Sequence, residues 1–185
     1  MKLSRLISMI KAQGGVTLVE LMVGIAITGA IGGVIVMTII QLDTVGSSNT
    51  NRIVSVNYVQ NAGYWIQVDT KVAQTIELDA GDSGLPLILN WVDWDNTEHQ
   101  VSYSLDGDKL QRIQSINSGS PNVLVVAQSV DAEPDLTNCE FVDGMLNFTL
   151  TTTEGSGTRG NTETRVFSFK PRAELVVLKG NGEEV

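Results

Sequence analysis

Twenty consecutive residues without a charge, Leu21 to Ile40, constrain this chain more than any other stretch. They are drawn from Ile, Val, Leu, Met, Ala, Gly and Thr, and an apolar run of about 20 residues is what a membrane-spanning helix requires. Extended back to Val16, the stretch reaches roughly 37 Å at about 1.5 Å per helical residue, against a hydrocarbon core of about 30 Å. Met1 to Gly15 precede it with Lys2, Arg5 and Lys11 and no acid. Basic residues on that side set the N-terminus in the cytoplasm and the bulk of the chain outside. The apolar core of a secretory signal is shorter, about 7–15 residues, and is discarded at a cleavage site beyond it. This run is longer and reads as a retained, single-pass anchor in the cytoplasmic (inner) membrane.

One carboxylate, Glu20, stands at the start of the run. A charged side chain costs roughly 2.5–3.5 kcal/mol on membrane-insertion scales, so Glu20 either finds a partner or snorkels to the headgroups. The residues around it, Gly15-Val16-Thr17-Leu18-Val19-Glu20-Leu21, resemble the processing site of type IV pilins and type II secretion pseudopilins, where Gly is followed by Phe-Thr-Leu-Ile-Glu-Leu. The resemblance implies cleavage after Gly15 by the prepilin peptidase and N-methylation of the new terminus, Val16, which stands where Phe is usual. It also implies that Glu20 meets the terminal amine of a neighbouring subunit inside an assembled filament. A buried carboxylate and a buried amine offset their desolvation only in good geometry, so such a pair would act as a register device. Loss of Lys2, Arg5 and Lys11 with the leader would take the formal charge from −9 to −12.

The remainder is acidic, and its Lys and Arg residues are never adjacent, so the clustered basic footprint of a nucleic-acid-binding surface is missing. No direct contact with nucleic acid is expected. Cys139 is the only cysteine, which excludes an intramolecular disulfide and reads as a small buried hydrophobe.

Within the span, Gly24, Gly29, Gly32 and Gly33 suit either close helix packing or ordinary glycine tolerance in a membrane helix. Major type IV pilins usually carry a proline where Met37 stands, so the resemblance leans toward a minor subunit. Gln41 to Asn51 is polar, with Gly46 to Asn51 as an expected weak point. Ile53, Val56, Val59, Ile66, Ala73 and Ile76 then recur at three- and four-residue steps. They predict an amphipathic helix ending near Leu78, with Tyr58, Tyr64 and Trp65 packing against a sheet. From Leu85 the period changes to two. Residues 85–92, 100–105, 109–116, 123–130, 145–153 and 162–170 read as strands, with a short closing strand at 174–178. Asp106-Gly107 and Asp143-Gly144 signal turns, Glu154 to Asn161 a flexible connection, and Gly180 to Val185 a frayed tail.

The expected fold is α+β, a long N-terminal helix packed on an antiparallel sheet. Its divisions are a leader (1–15), a transmembrane helix (16–42), its amphipathic continuation (43–79) and a β-rich head (80–185). The head adds a resemblance. Val101-x-Tyr103-x-Leu105, a turn, then Leu110-x-Arg112 is similar to a hairpin of J-type minor pseudopilins and W-type minor pilins. The order continues through Val123 to Val130, Phe141, Leu146-x-Phe148-x-Leu150 and Phe167-Ser168-Phe169-Lys170-Pro171-Arg172.

Chemistry finds little footing. Asp93, Asp95 and Glu98 are the nearest approach to a metal loop, but the glycine and distant bidentate Glu of an EF-hand are missing, and a solvated turn is the preferred reading. Asp79 and Asp82 offer less. Gly155-Ser156-Gly157 lacks the strand–turn–helix setting of a nucleophile elbow, and the single histidine, His99, has no nucleophile beside it in sequence. No catalytic residue, metal or cofactor is expected.

The reading is a non-enzymatic minor pilin or pseudopilin that assembles into, or primes, a type IV pilus or type II secretion pseudopilus. The resemblance implies other pilin or pseudopilin subunits, the prepilin peptidase and assembly platform proteins as partners. A competence (DNA-uptake) pseudopilin, and a membrane-tethered binding or hydrolytic domain that borrows a prepilin-like anchor, remain as alternatives.

Overall fold

A computed structural model describes residues 16–78 and 84–171 and the backbone of 176–179. Gly15 and the rest of the leader, Asp79 and Asp82, and the Gly180–Val185 tail lie outside the described residues. The chain forms two compact units that meet at Thr44 and Val45.

Helix α1 runs from Leu18 to Val72 and belongs to both units. In the first unit every residue from Val16 to Asp43 is exposed. Among the described residues this is the one helix long and apolar enough to cross a membrane. The expected weak point at Gly46–Asn51 is helical throughout. Thr50 Oγ1 donates back to the Gly46 carbonyl at 3.0 Å, which lets a polar residue sit in the helix without opening the backbone ladder.

In the second unit α1 buries Ser55, Val59, Ala62, Gly63, Ile66, Asp69 and Thr70. Steps of three and four place these on one face. The face differs from the apolar series expected: Ile53 is exposed, and the buried stripe contains two small residues and three polar ones. Of the aromatics, Tyr58 and Trp65 pack against the core while Tyr64 is exposed. The helix ends at Val72, not near Leu78. Ala73 N–H makes the last helical bond to the Asp69 carbonyl, at 3.0 Å, and Gln74 N–H then turns to the Asn90 carbonyl, at 2.8 Å. Thr75–Leu78 continue as strand β1, where Ile76 and Leu78 are buried at period two. Ile76, three residues after Ala73, also fits the helical series, which is why the boundary is misread.

The strands are β2 Leu87–Val92, β3 Glu98–Asp106, β4 Lys109–Ile116, β5 Asn122–Ala127, β6 Asn138–Val142, β7 Met145–Glu154, β8 Asn161–Phe169 and β9 Val176–Lys179. They form two sheets. One has the order β5-β4-β3-β2-β1-β9 and the other β6-β7-β8. Every pairing is antiparallel except β1 with β9, which is parallel. Val130, three residues after the end of β5, makes an isolated antiparallel bridge to Thr152 on β7. Asp143 and Gly144, with φ of +52° and +73°, form the two-residue β6–β7 turn that an Asp-Gly pair favours. The segment between β7 and β8 holds a 3-10 turn, Gly157–Arg159, and Asn51 Nδ2 on α1 donates to the Arg159 carbonyl at 2.7 Å, so it is tied to the helix.

Small residues let α1 approach the second sheet. A Cβ on Gly63 would lie 2.5 Å from Cε1 of Phe167 on β8. Helix propensity favours Gly63→Ala by about 1 kcal/mol, whereas overpacking typically costs about 1–3 kcal/mol. The expected net effect of Gly63→Ala is destabilisation, relieved in the Gly63→Ala/Phe167→Leu double variant. Urea unfolding of the four chains of this cycle checks it, and additivity would show that no packing constraint acts here.

Candidate assembly site

The start of α1 is a capped helix end. Thr17 Oγ1 accepts from Glu20 N–H at 3.2 Å, and the Thr17 carbonyl accepts from Leu21 N–H at 3.1 Å. Thr17 is therefore the N-cap and Glu20 the third helical residue, the Thr-x-x-Glu arrangement of a capping box. Val16 and Leu21 occupy the two positions of a hydrophobic staple. The Thr17-x-x-Glu20 spacing ahead of an apolar run is itself a sequence signal for this helix start. The Glu20 carboxylate is exposed, lies in the first turn where the helix dipole favours a negative charge, and has no side-chain partner among the described residues.

Below it runs a shallow groove of about 490 Å³ that includes Val16, Glu20, Gly24, Thr28 and Gly29. Thr28 Oγ1 spends its hydrogen on the Gly24 carbonyl at 2.8 Å. A Cβ placed on Gly24 or Gly29 would meet nothing within 4 Å. The groove is thus mainly apolar, mixing Gly24, Thr28 and Gly29 with the larger Val16, Leu21 and Ile25, and has one carboxylate at its end. Such a surface can receive another helix closely, and it can receive an amine at Glu20.

In the second unit the structure brings Asp69, a residue the sequence reading did not single out, to the hairpin that carries Tyr103 and Arg112. Asp69 on α1 is buried. Its Oδ2 accepts from Arg112 Nε at 2.7 Å, its Oδ1 accepts from Arg112 Nη2 at 2.9 Å, and the Tyr103 hydroxyl donates to Oδ2. Tyr103 and Arg112 are direct cross-strand partners on β3 and β4, which explains the spacing of the Tyr and Arg in that hairpin. The Arg112 guanidinium also lies over the Trp65 ring, 4.9 Å from its centroid, and Nη1 donates to Gln114 Oε1 at 3.0 Å. Asp69 falls three residues after Ile66 on the same helix face, the one signal that could have marked it as buried.

Burial, then the Asp69 carboxylate, push the Tyr103 phenol well above its usual range. A folded-state value above the unfolded one, about 10, means that the unfolded chain gives up this proton first. The stability tied to Tyr103 is complete below about pH 10 and falls as pH rises further. Tyr103→Phe should therefore flatten the alkaline loss of stability, at a cost of about 1.5–3 kcal/mol near neutrality for a hydrogen bond to a charged group. Asp69→Ala leaves Arg112 buried and uncompensated, and is expected to cost about 3–5 kcal/mol. Urea midpoints of the full chain from pH 7 to 11 check both. An alkaline slope unchanged by Tyr103→Phe would contradict this assignment.

The acidic loop does not assemble a metal site. Asp93 Oδ2 is paired with His99 Nε2 at 2.9 Å, and Asp95 Oδ1 accepts from Thr97 N–H at 3.0 Å. Hydrogen bonds from Thr97 hold the exposed Asp95 carboxyl below its usual range. Among the described residues no group of three or more His, Cys, Asp or Glu could hold a metal ion, so Asp93, Asp95 and Glu98 do not act as one. The loop is a turn that carries the exposed Trp94. Cys139 is buried, and burial raises its thiol far from the reactive range. No family model, no curated protein and no solved structure matches this chain.

Proposed function

We propose that this chain is a structural minor pilin or pseudopilin, cleaved after Gly15, N-methylated on Val16 and anchored by the first part of α1. In this reading Glu20 meets the terminal amine of a neighbouring subunit, and the groove at Gly24, Thr28 and Gly29 receives that subunit's helix. The β-rich unit contacts other subunits of a type IV pilus or type II secretion pseudopilus. A competence pseudopilin would share this chemistry. The chain performs no catalysis in any of these roles.

One observation carries the reading: a lone carboxylate without a described partner opens a helix otherwise apolar for a membrane's thickness, within a processing-type motif. The cost of a charge there is roughly 2.5–3.5 kcal/mol on insertion scales, and an intersubunit amine offsets it. The capping box supports a second reading, in which Thr17 and Glu20 only start the helix of a simple membrane-tethered domain.

Mass spectrometry of the membrane-extracted N-terminus, with and without the prepilin peptidase, separates the two. A chain that starts at N-methylated Val16, and loses that form without the peptidase, supports the pilin pathway. A chain starting at Met1 in both strains supports the tethered domain. Glu20→Gln should leave cleavage intact and remove the chain from sheared filaments; recovery at the wild-type level would contradict the pairing role.

A further inference from the structure

Strand β5 forms one edge of the six-stranded sheet. Its first four residues, Asn122 to Val125, are exposed, with Val123 at 51%, Leu124 at 40% and Val125 at 37%. Leu124 lies opposite Arg112, on the face that looks toward α1, while Val123 and Val125 lie opposite Ile113 and Gln111 on the other face. Aliphatic side chains therefore show on both faces of an edge. Edge strands are usually protected by charges, proline or a bulge. In the smaller sheet, β8 carries Glu163 and Arg165 and β6 carries Glu140. Asn122–Ala127 contains no charge and no proline. Its bulge falls near Val126, whose carbonyl is taken by Asn61 Nδ2 at 2.7 Å, beyond the accessible four residues.

The C-terminal end of β5 leads to a cavity of about 300 Å³ that includes Asp108, Ser129, Asp131 and Thr153. Val130 N–H donates to the Asp108 carbonyl at 2.9 Å and fixes this corner. Among the described residues neither Asp108 nor Asp131 forms an ion pair. An uncharged aliphatic edge thus ends at two carboxylates.

We propose that β5 is a strand-addition site for an extended segment of another protein, aliphatic at alternate positions, whose Lys or Arg reaches Asp108 and Asp131. Unpaired backbone groups supply the affinity of such additions, and side-chain pockets supply the specificity. Antiparallel addition, the more stable pairing, places the cation at the N-terminal end of the added segment. A second copy of β5 is a poorer occupant, because it brings an uncharged strand and no cation to the acidic end. The inference is independent of the filament reading, since it concerns the head alone and needs neither cleavage at Gly15 nor Glu20.

The test uses the full chain in lipid nanodiscs and two fluorescein-labelled peptides, acetyl-Lys-Val-Thr-Val-Thr-Val-amide and the same peptide with Glu for Lys. Fluorescence anisotropy measures binding, and amide hydrogen exchange locates it. The Lys peptide should bind at least about tenfold more tightly than the Glu peptide and should slow exchange within Asn122–Val125. Asp108→Asn/Asp131→Asn should remove the discrimination. Val123→Ser/Val125→Ser, at exposed positions, should weaken both peptides without changing the near-ultraviolet circular dichroism. Protection located elsewhere, equal binding of the two peptides, or no binding at millimolar peptide would each overturn the proposal.

Discussion

The bidentate pair between Asp69 and Arg112 is the interaction on which the second unit depends. It joins α1 to β4 through two hydrogen bonds in a site from which water is excluded, and Tyr103 adds a third from β3. An ion pair in such a place is weak evidence of net stability, because desolvation removes most of what Coulomb attraction provides. Its stronger effect is geometric. The apolar neighbours Val59, Ile66, Leu89 and Val101 would tolerate a helix shifted along or rotated on the sheet, since apolar contacts are non-directional. Asp69 tolerates neither movement, because any shift leaves two charges buried and unpaired. The stack of Arg112 on Trp65, four residues before Asp69, fixes the same helix turn from a second direction.

That constraint also shows where the sequence was legible and where it was not. Period-two alternation reveals β3, β4 and β7 because each buries one face, and the Asp-Gly turn after β6 follows from local chemistry alone. Strand β1 was hidden because Ile76 continues the helical spacing from Ala73 as well as alternating with Leu78. The deciding events are the pairing of Gln74 with Asn90 and of Thr75–Leu78 with β2, both set by residues nine or more positions away. Strand β6, Asn138–Val142, reads as a loop because Glu140 breaks an already short run, and only pairing with β7 defines it. Asp69 was invisible for a related reason. A carboxylate on a helix ordinarily marks the solvent face, and its burial becomes affordable only with a guanidinium that arrives from 43 residues further on. At the N-terminal site the residues were legible and their geometry was not: Thr17 as a cap follows from spacing, whereas a partner for Glu20 lies outside a single chain.

Helix α1 follows two different side-chain rules along its length. From Leu21 to Ile40 it is apolar on every face, as a helix in lipid must be, since no side can expose polar groups cheaply. From Ser55 to Thr70 it buries one face, apolar or small at Val59, Ala62, Gly63 and Ile66 and polar at Ser55, Asp69 and Thr70, and leaves the other to water. Between them, Gln41 to Asn51 contains Ser, Thr, Asn and Gly, residues of low helix propensity, yet the helix continues. Thr44 and Thr50 each return their hydroxyl hydrogen to the carbonyl four residues back, at 2.9 and 3.0 Å, while Asn51 donates to the Arg159 carbonyl. A proline there would have removed a backbone donor and set a kink. Its absence leaves the change of environment without a change of secondary structure.

The same comparison of costs ranks the polar groups of the chain by what they imply. Asp69 is buried and fully partnered, so its energetic problem is solved within the fold and it points to no ligand. Asp93 and Asp95 are engaged in a solvated turn, where a charge costs little and a metal is not needed to stabilise it. Glu20 differs from all three. Its position at the head of an apolar helix makes it expensive in a membrane, the described residues give its carboxylate no counter-charge, and Thr17 satisfies only its backbone N–H. A carboxylate kept at such a place is balanced by something outside the chain, either headgroup water at the membrane surface or an amine brought by a neighbour. In the proposed filament reading it is the second, and a neighbouring helix that delivered its terminus there would pack along the face carrying Gly24, Thr28 and Gly29, where small residues permit a close approach.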